Sequence, residues 1–206
     1  RGSGTRAGTM RACDACLRRA ALVARLAPHV ERARRDHRHI CELLALPDDG
    51  LLAALAGDRR RDLERLHERF DPEAQRARLR SARLDAVCRH DADYPARLEQ
   101  AADAPAVLHV AGDRGRLAAL AGEDAPAVAV VGARRAGQDA LEVARGLGRG
   151  LAAAGVTVVS GMALGVDSAA HTGALEVGGP TLTVLASGAD IPYPPSKRSL
   201  YRALVR

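Results

Sequence analysis

Residues 156–188 read VTVVSGMALGVDSAAHTGALEVGGPTLTVLASG and decide the fold class. The apolar, β-branched runs near its two ends predict buried strands, and the segment between them is typical of a helix closed by a glycine pair. Upstream, residues 126–137 read PAVAVVGARRAG and predict another strand ending in a glycine turn, with a helix that runs on to Gly155. Strands alternating with helices predict a parallel sheet with helices on both faces, part of a Rossmann-like doubly wound α/β fold.

The first half of the chain is predicted to be helical. Residues 11–89 are rich in Ala, Leu and Arg and poor in Gly and Pro, so we expect a small helical N-terminal domain after a disordered leader at 1–10. Residues 58–83 place Arg three or four positions from Asp and Glu, which predicts an exposed helix with ion pairs along its surface. The apolar positions Leu51, Leu52, Leu55 and Ala56 follow helical spacing.

Residues 90–206 are predicted to form the Rossmann-like domain, which begins with a connector and a short strand at about 106–111. The chain ends inside the helix predicted after the third strand of the alternating segment. Because complete doubly wound sheets usually have about five or six strands, we expect this chain to be a fragment of a longer protein.

Composition narrows the function classes. No apolar run approaches the roughly 20 residues that a bilayer requires, and the first ten residues lack an apolar signal core, so a cytoplasmic protein without membrane contact is expected. Residues 1–90 contain 20 arginines against 13 acidic residues. Such a basic half either binds a polyanion or presents solvated helix faces, and the residues leave both interpretations open.

The first glycine turn follows the strand of PAVAVVG. Gly132 and Gly137 lack the middle glycine of a dinucleotide fingerprint, so G-x-G-x-x-G is not matched. Arg134 and Arg135 stand between a strand end and a helix start, where arginine suits an external phosphate. We favour phosphate contact over an exposed pair without a ligand, because such sheets bind ligands at the carboxyl ends of their strands.

The second turn contains Ser160, Asp167 and His171. A hydrolase elbow would require G-x-S-x-G, which is absent, so no catalytic residues are predicted. We expect Asp167 to cap the helix and His171 to pair with it one turn later. Ser160, with Gly161 and Gly165 in the same turn, is predicted to offer its oxygen and backbone N–H groups to an anion.

The third turn contains Gly188, Tyr193 and Lys197. The carboxyl ends of parallel strands meet at one edge of a sheet, so all three turns are expected to converge there. Tyr193 is the one aromatic side chain near this edge in a sequence with 2% aromatic residues, so base stacking is expected to be minor.

The cysteines leave a zinc site as an alternative. Four cysteines in a chain of this length do not indicate a disulfide framework. Cys13-x-x-Cys16 could form a zinc site with distant partners, for which the candidates are His37, His39 and Cys41. Cysteines three residues apart in a helix often only pack, and arginines near the histidines disfavour a cation, so no metal and no cofactor are predicted. Cys88 is expected to pack in the core.

The motifs together resemble the DNA-processing protein A family (DprA, also called Smf). The resemblance rests on VAVVGARRAG, VVSGMALGVDSAAHTGAL and GGPTLTVLASGADIPYP, which occur in the family's order and spacing, and on the lead-in DADYPARLEQAADAPAVLHVAG. These stretches cover about residues 90–200. The helical segment before them is similar in kind to the family's variable N-terminal domain.

The resemblance implies a non-enzymatic protein that binds and protects single-stranded DNA during natural transformation. In its full-length form it is expected to load the RecA recombinase and to form a homodimer. It places Gly132, Arg134, Ser160, Gly161, Gly165 and Asp167 at the family's binding positions, with Gly188 and the Tyr193 loop completing the edge. Two positions depart from the family pattern: Leu164 replaces a residue that is often polar or basic, and Lys197 stands where Asn or His is common.

An enzyme of the phosphoribohydrolase type (the lysine-decarboxylase-like family) is the alternative function. Enzymes of that type contain a glycine-rich turn with a catalytic Glu and Arg. The corresponding stretch here, ASGADIPYP, lacks both the glycine run and the acid, which disfavours this alternative.

Overall fold

The structure, a computed structural model, describes residues 12–206, and the leader predicted at 1–10 lies outside the described residues. Contacts divide the described chain into two units: residues 12–81 with 85–108, and residues 82–84 with 109–206. The connector after residue 90 thus belongs largely with the helices that precede it. No helix within residues 12–206 is both long enough and apolar enough to cross a bilayer.

The first unit is a set of helices around a leucine core. Its helices are α1 (Asp14–Arg35), α2 (Ile40–Ala45), α3 (Asp48–Leu55), α4 (Arg60–Glu68), α5 (Pro72–Ser81) and α6 (Ala96–Glu99). Leu22 and Leu26 of α1 are fully buried against Leu51 and Leu52 of α3 and Leu63 of α4. The apolar face predicted in α3 is therefore confirmed.

Two features of this unit differ from the sequence prediction. The exposed helix predicted over 58–83 is interrupted, because Asp71 accepts hydrogen bonds from the backbone N–H groups of Glu73 and Ala74 and starts α5 at Pro72. The helical domain predicted up to residue 89 contains a strand, β1 (Leu84–Cys88), which forms a two-stranded sheet with β2 (Val107–Ala111). The five-residue run LDAVC is too short for its hydrophobic pattern to distinguish a strand from a helix turn.

The second unit contains the predicted parallel sheet. Its elements in chain order are α7 (Arg114–Ala118), β3 (Ala127–Ala129), α8 (Gln138–Ala153), β4 (Thr157–Ser160), α9 (Val166–Glu176), β5 (Thr181–Thr183) and α10 (Arg198–Leu204). The strand order is β3-β4-β5, with Val128 opposite Val158 and Val158 opposite Thr181. This order follows the chain, as in one half of a doubly wound fold, and confirms the predicted Rossmann-like α/β class.

Helices α8 and α9 pack together on one face of this sheet and contact β4. At their crossing the helices approach so closely that a Cβ atom on Gly148 would lie 2.2 Å from the carbonyl oxygen of Ala170. A Cβ atom on Gly173 would lie 2.0 Å from the carbonyl oxygen of Arg145. Glycine at these two positions therefore allows backbone-to-backbone contact.

The outer strands of the sheet are partly exposed, which corrects the expectation of strands buried on both faces. Val128 within β3 exposes 40% of its surface, and Val131 and Val184, just beyond β3 and β5, expose 71% and 64%. By contrast, Val158 in the central strand is fully buried beneath α8 and α9. Since right-handed crossovers between strands in sequential order place their helices on one side, α8 and α9 cannot cover both faces.

Candidate functional site

The carboxyl ends of β3, β4 and β5 converge on a small cavity. It has a volume of about 140 Å³ and is lined by Arg134, Gly161, Ala163, Leu164, Leu185, Ala186, Ser187, Tyr193 and Pro194. Each of the three glycine turns contributes to this lining. The predicted convergence of the turns at one sheet edge is therefore present in the structure.

Two of the predicted side chains, Arg134 and Tyr193, line the cavity. Arg134 is exposed and, within residues 12–206, makes no ion pair, so its guanidinium is available to an external anion. Tyr193 exposes 61% of its surface and is joined to Pro194 by a cis peptide bond. The site thus presents one cation and one aromatic ring at the rim of an apolar lining.

Other predicted residues lie in the same turns without lining the cavity. Arg135 is exposed beside Arg134, Gly188 lies in the third turn, and Lys197 is half-buried at the start of α10. These positions remain predictions for contacts with a ligand that extends beyond the cavity.

Ser160 has a structural place that the sequence did not indicate. It is 3% exposed, and its hydroxyl donates a hydrogen bond of 2.6 Å to the carbonyl oxygen of Val130. This bond ties the end of β4 to the residue after β3. The interpretation of Ser160 as a phosphate ligand is therefore corrected, because its proton is used inside the sheet and its side chain does not line the cavity.

Asp167 holds the second turn in place and does not cap the helix. Its Oδ2 accepts a hydrogen bond of 3.2 Å from the backbone N–H of Gly161, and the residue is 6% exposed. Gly165 occupies the capping position instead, without a side-chain bond to the helix. Because the N–H of Gly161 is bound to a carboxylate, it is not offered to a phosphate as predicted.

The first two turns interlock through glycine. Gly165 has a φ of +82°, and a Cβ atom there would lie 2.1 Å from the carbonyl oxygen of Ala133. The N–H of Val166 donates to that same carbonyl at 3.3 Å. Gly132 lies against the Val166 side chain, which would collide with a Cβ atom at 2.8 Å. The predicted anion-binding glycines therefore bring the turns together and fix the shape of the cavity wall.

His171 is fully buried and supports the sheet from α9. The Thr181 hydroxyl donates its proton to the carbonyl oxygen of Val158 at 2.9 Å. In the 2.7 Å contact with His171, the Thr181 oxygen is therefore the acceptor and Nδ1 of His171 is the donor. Burial lowers the pKa of His171 to about 4, although the Asp167 carboxylate and a Ser160 backbone hydrogen bond act in the opposite direction. His171 is therefore neutral at pH 7 and pairs with Thr181, which corrects the predicted pairing with Asp167.

These bonds do not form a catalytic relay. Ser160 donates to Val130, and His171 donates to Thr181, so neither of the two contacts that would activate a serine nucleophile is present among them. Of the described residues that line the cavity, none has a carboxylate or an imidazole. The arrangement is suited to binding a group with a negative charge and an apolar face.

Several lining residues had no signal of their own in the sequence. Ala163, Leu185 and Ala186 line the cavity through their place just beyond β4 and β5. The sequence predicts Leu185 and Ala186 as part of the third strand, whereas β5 ends at Thr183 and these residues follow it. The apolar run past Thr183 is the signal that could have indicated the lining.

The structure groups side chains that could bind a metal, but this group differs from the one that the sequence suggests. Cys13, Cys16, Cys88 and His90 place their ligand atoms within 4.8 Å of one another, whereas His37, His39 and Cys41 are not part of this group. Cys41 is exposed and donates to Asp103 at 3.4 Å. Cys88, expected to serve only in packing, therefore also takes part in a polar cluster of the first unit.

Comparisons with known proteins agree with the motifs. The family described as DNA recombination-mediator protein A matches residues 85–206. A putative DNA processing protein DprA from Mycobacterium tuberculosis is 48% identical over 80 residues, which are 39% of this chain and 21% of that protein. Protein Smf from Synechocystis is 38% identical over 79 residues, 38% of this chain and 20% of that protein.

A solved structure is also similar. The X-ray structure of DNA processing protein A from Streptococcus pneumoniae superposes with a TM-score of 0.62 at 24% identity, covering 91% of this chain and 61% of that one. At this identity the match supports the fold. In sequence, the DNA processing protein DprA of the same organism is 39% identical over 75 residues, 36% of this chain and 26% of that protein. The matched segments thus span about a fifth to a quarter of the curated relatives.

Proposed function

This chain belongs to the DNA recombination-mediator protein A family, and on that premise we propose that it binds single-stranded DNA at the cavity beyond β3, β4 and β5. Binding without catalysis is part of the proposal. The single observation that carries it is the pairing of a free guanidinium, Arg134, with an exposed aromatic ring, Tyr193, at one small apolar cavity.

The chemistry of this pair suits a nucleotide strand. A guanidinium forms charge-assisted hydrogen bonds with a phosphate oxygen, and an aromatic ring offers a stacking surface to a base. Leu164 and Leu185 line the same cavity and would contact the face of a base or a sugar. Neither contact distinguishes one base from another, so we expect binding with little sequence preference.

The size of the cavity favours a strand of DNA over a free nucleotide as the ligand. Pockets that enclose small molecules usually have volumes of about 300 to 1,000 Å³. The cavity here, at about 140 Å³, is large enough to accept only part of a nucleotide, so the remainder would lie across the surface. A polymer gains further contacts along that surface, whereas a free nucleotide does not. This supports DNA binding over the phosphoribohydrolase alternative, which would enclose its substrate.

The direct test measures binding of fluorescent oligo-dT by anisotropy across a range of salt concentrations. We expect affinity to fall steeply with salt, because phosphate contacts release counterions. Arg134→Ala should weaken binding about threefold to tenfold and reduce the slope of log affinity against log salt by about one. Arg35→Ala, which removes an exposed arginine from α1 in the other unit, is the matched control and should leave both values unchanged.

Two results would contradict the proposal. Equal affinity and salt slope in wild type and Arg134→Ala would remove Arg134 from the interface. Cleavage of nucleoside monophosphates by the purified chain, above the rate without protein, would favour the enzyme alternative and overturn the non-enzymatic interpretation.

We propose the wider role in recombination on the same family membership. In a longer protein, DNA bound at this edge would be handed to the RecA recombinase, and a homodimer would act in the cytoplasm during natural transformation. The matched relatives extend well beyond the segments aligned here, so these partners are tested in the longer protein, by RecA filament formation on DNA coated with single-strand-binding protein.

A further inference from the structure

A group of three thiols and one imidazole lies in the first unit, between the start of α1 and the end of β1. Cys13 immediately precedes α1, and Cys16 lies one turn later on the same side of the helix. Cys88 ends β1, and His90 follows in the turn where the N–H of Asp91 donates to the carbonyl oxygen of Cys88. Two short segments about 75 residues apart in sequence therefore meet through these side chains.

The distances match the geometry of a bound ion. Nδ1 of His90 lies 3.4 Å from Sγ of Cys13 and 3.6 Å from Sγ of Cys16. Around a tetrahedral zinc ion with sulfur at about 2.3 Å and nitrogen at about 2.0 Å, a sulfur and a nitrogen lie about 3.5 Å apart. The four ligand atoms, Cys88 included, lie within 4.8 Å of one another. One ion can therefore contact all four after only small shifts of the side chains.

A single hydrogen bond at His90 does not account for both of its sulfur contacts. A neutral imidazole nitrogen that accepts has a single lone pair, so Nδ1 of His90 can accept from one thiol at a time. Two sulfurs nevertheless approach it at hydrogen-bond distance, with a third close by. Cys16 and Cys88 are also buried, at 4% and 1% exposure, which brings polar sulfurs together where an apolar side chain would pack as well.

We propose that Cys13, Cys16, Cys88 and His90 bind one zinc ion in a structural site. Three thiolates and an imidazole are a soft donor set that favours zinc over magnesium or calcium. Four protein ligands complete a tetrahedron and leave no position open for a substrate, so the ion has a structural role. Cys13 and His90 are partly exposed, which gives the ion a path of entry from solvent.

The site ties the start of α1 to the end of β1 within the first unit. Arg76 in α5 donates to the carbonyl oxygen of Ala12 at 2.8 Å and to the carboxylate of Asp14 at 2.5 Å, so both neighbours of Cys13 are already held. The ion would bind only where folding brings these two distant segments together, so its binding free energy would add to the stability of the folded state. The expected consequence is a first unit that is markedly more stable with zinc than without it.

The test measures the metal content of the whole chain, purified under reducing conditions without a metal-affinity tag. We expect about one zinc per chain by mass spectrometry, and a lower melting temperature after removal by a chelator. Titration of the metal-free chain with Co²⁺ should produce the visible absorption of tetrahedral cobalt and a thiolate charge-transfer band. Saturation of these bands at about one equivalent would show a single tetrahedral site with thiolate ligands, without requiring any variant to fold.

Matched variants separate this site from adventitious binding. Cys16→Ser and Cys88→Ser should lose the ion, and His90→Ala, at an exposed position, should weaken zinc binding by more than about 100-fold, beyond the effect of an outer-shell change. Cys41→Ser is the control and should retain full metal content, because Cys41 lies outside the group.

Three outcomes would overturn the proposal. The first is a chain that binds well below one equivalent of zinc or cobalt while all four thiols react with a thiol reagent. The second is a disulfide between two of the three clustered cysteines under the same reducing conditions. The third is equal zinc content in the wild type and in His90→Ala and Cys16→Ser. Each of these results would assign the cluster to packing or to redox chemistry.

Discussion

At the scale of single residues, the buried polar side chains of the second turn bind backbone groups and stabilise the fold. Ser160 binds the buried carbonyl oxygen of Val130, and Asp167 binds the partly buried N–H of Gly161. Leaving such a group without a partner costs about 1–3 kcal/mol, which is a sufficient reason for a polar residue at each position. Arg134 has no such partner within residues 12–206, so it is the residue left for a ligand.

Because His171 is buried and neutral, we expect the stability of the chain to depend on pH. Burial lowers its pKa in the folded chain to about 4, from the ordinary value of 6.5. Between pH 4 and 6.5 the unfolded chain binds a proton at His171 more readily than the folded chain does. The contribution of neutral His171 to the free energy of unfolding is therefore fully present above about pH 6.5 and is lost as the pH falls towards 4. The expected loss is about 3 kcal/mol.

The measurement compares urea unfolding at pH 7 and pH 4 for wild type and His171→Gln, which cannot titrate. The variant should lose about 3 kcal/mol less than the wild type over this range. His39→Gln, at an exposed position in the other unit, controls for the removal of a histidine. An equal loss in wild type and His171→Gln would show that His171 is not the group responsible.

At the scale of secondary structure, the contact between α8 and α9 determines how the helices cover the sheet. It is made through Gly148 and Gly173, and ion pairs from Arg145 and Arg149 to Glu176 join the same two helices. Hydrogen bonds from Arg145 and then Arg149 lower the pKa of Glu176. These pairs are exposed, so close backbone packing is the larger contribution to the stability of this layer.

Alanine substitutions at two glycines of α8 separate the effect of close packing from the effect of helix propensity. Gly148→Ala places a Cβ atom 2.2 Å from the carbonyl oxygen of Ala170 and should destabilise the chain by about 3 kcal/mol or more. Gly146→Ala, two residues earlier on the exposed side, meets nothing within 4 Å and should stabilise it by about 0.5–1 kcal/mol. Denaturant unfolding of both variants is the measurement, and effects of the same sign would contradict close packing at Gly148.

At the scale of the whole molecule, exposed apolar side chains are concentrated in the second unit. Among the described residues, nine of the ten exposed large hydrophobic side chains lie in 109–206. Val131 and Val184 lie beyond strand ends, and Val143 and Leu147 lie on one side of α8. The sheet also ends in unpaired strands at β3 and β5, and such edges invite pairing with another chain.

We therefore expect this chain to associate at micromolar concentration. Sedimentation velocity at increasing concentration should show a growing fraction of larger species, and the double variant Val131→Thr with Val184→Thr should reduce it while preserving β-branching. Leu66→Gln, which removes the exposed apolar side chain of the first unit, is the control. A monomer with one sharp unfolding transition at every concentration would contradict this expectation.

The sequence alone predicts the parallel α/β unit, because strand and helix periodicity are local properties. Its turn motifs indicate the family and place Arg134 just after a strand. It could not reveal that Ser160 and Asp167 bind backbone groups, or that β1 interrupts the helical segment, since these depend on partners supplied by other segments. The cysteines illustrate the same limit. Cys13-x-x-Cys16 is visible as a pair, but its partners Cys88 and His90 are brought to it only by folding. Contacts between residues far apart in sequence are set by packing of the whole chain, and only the tertiary structure decides them.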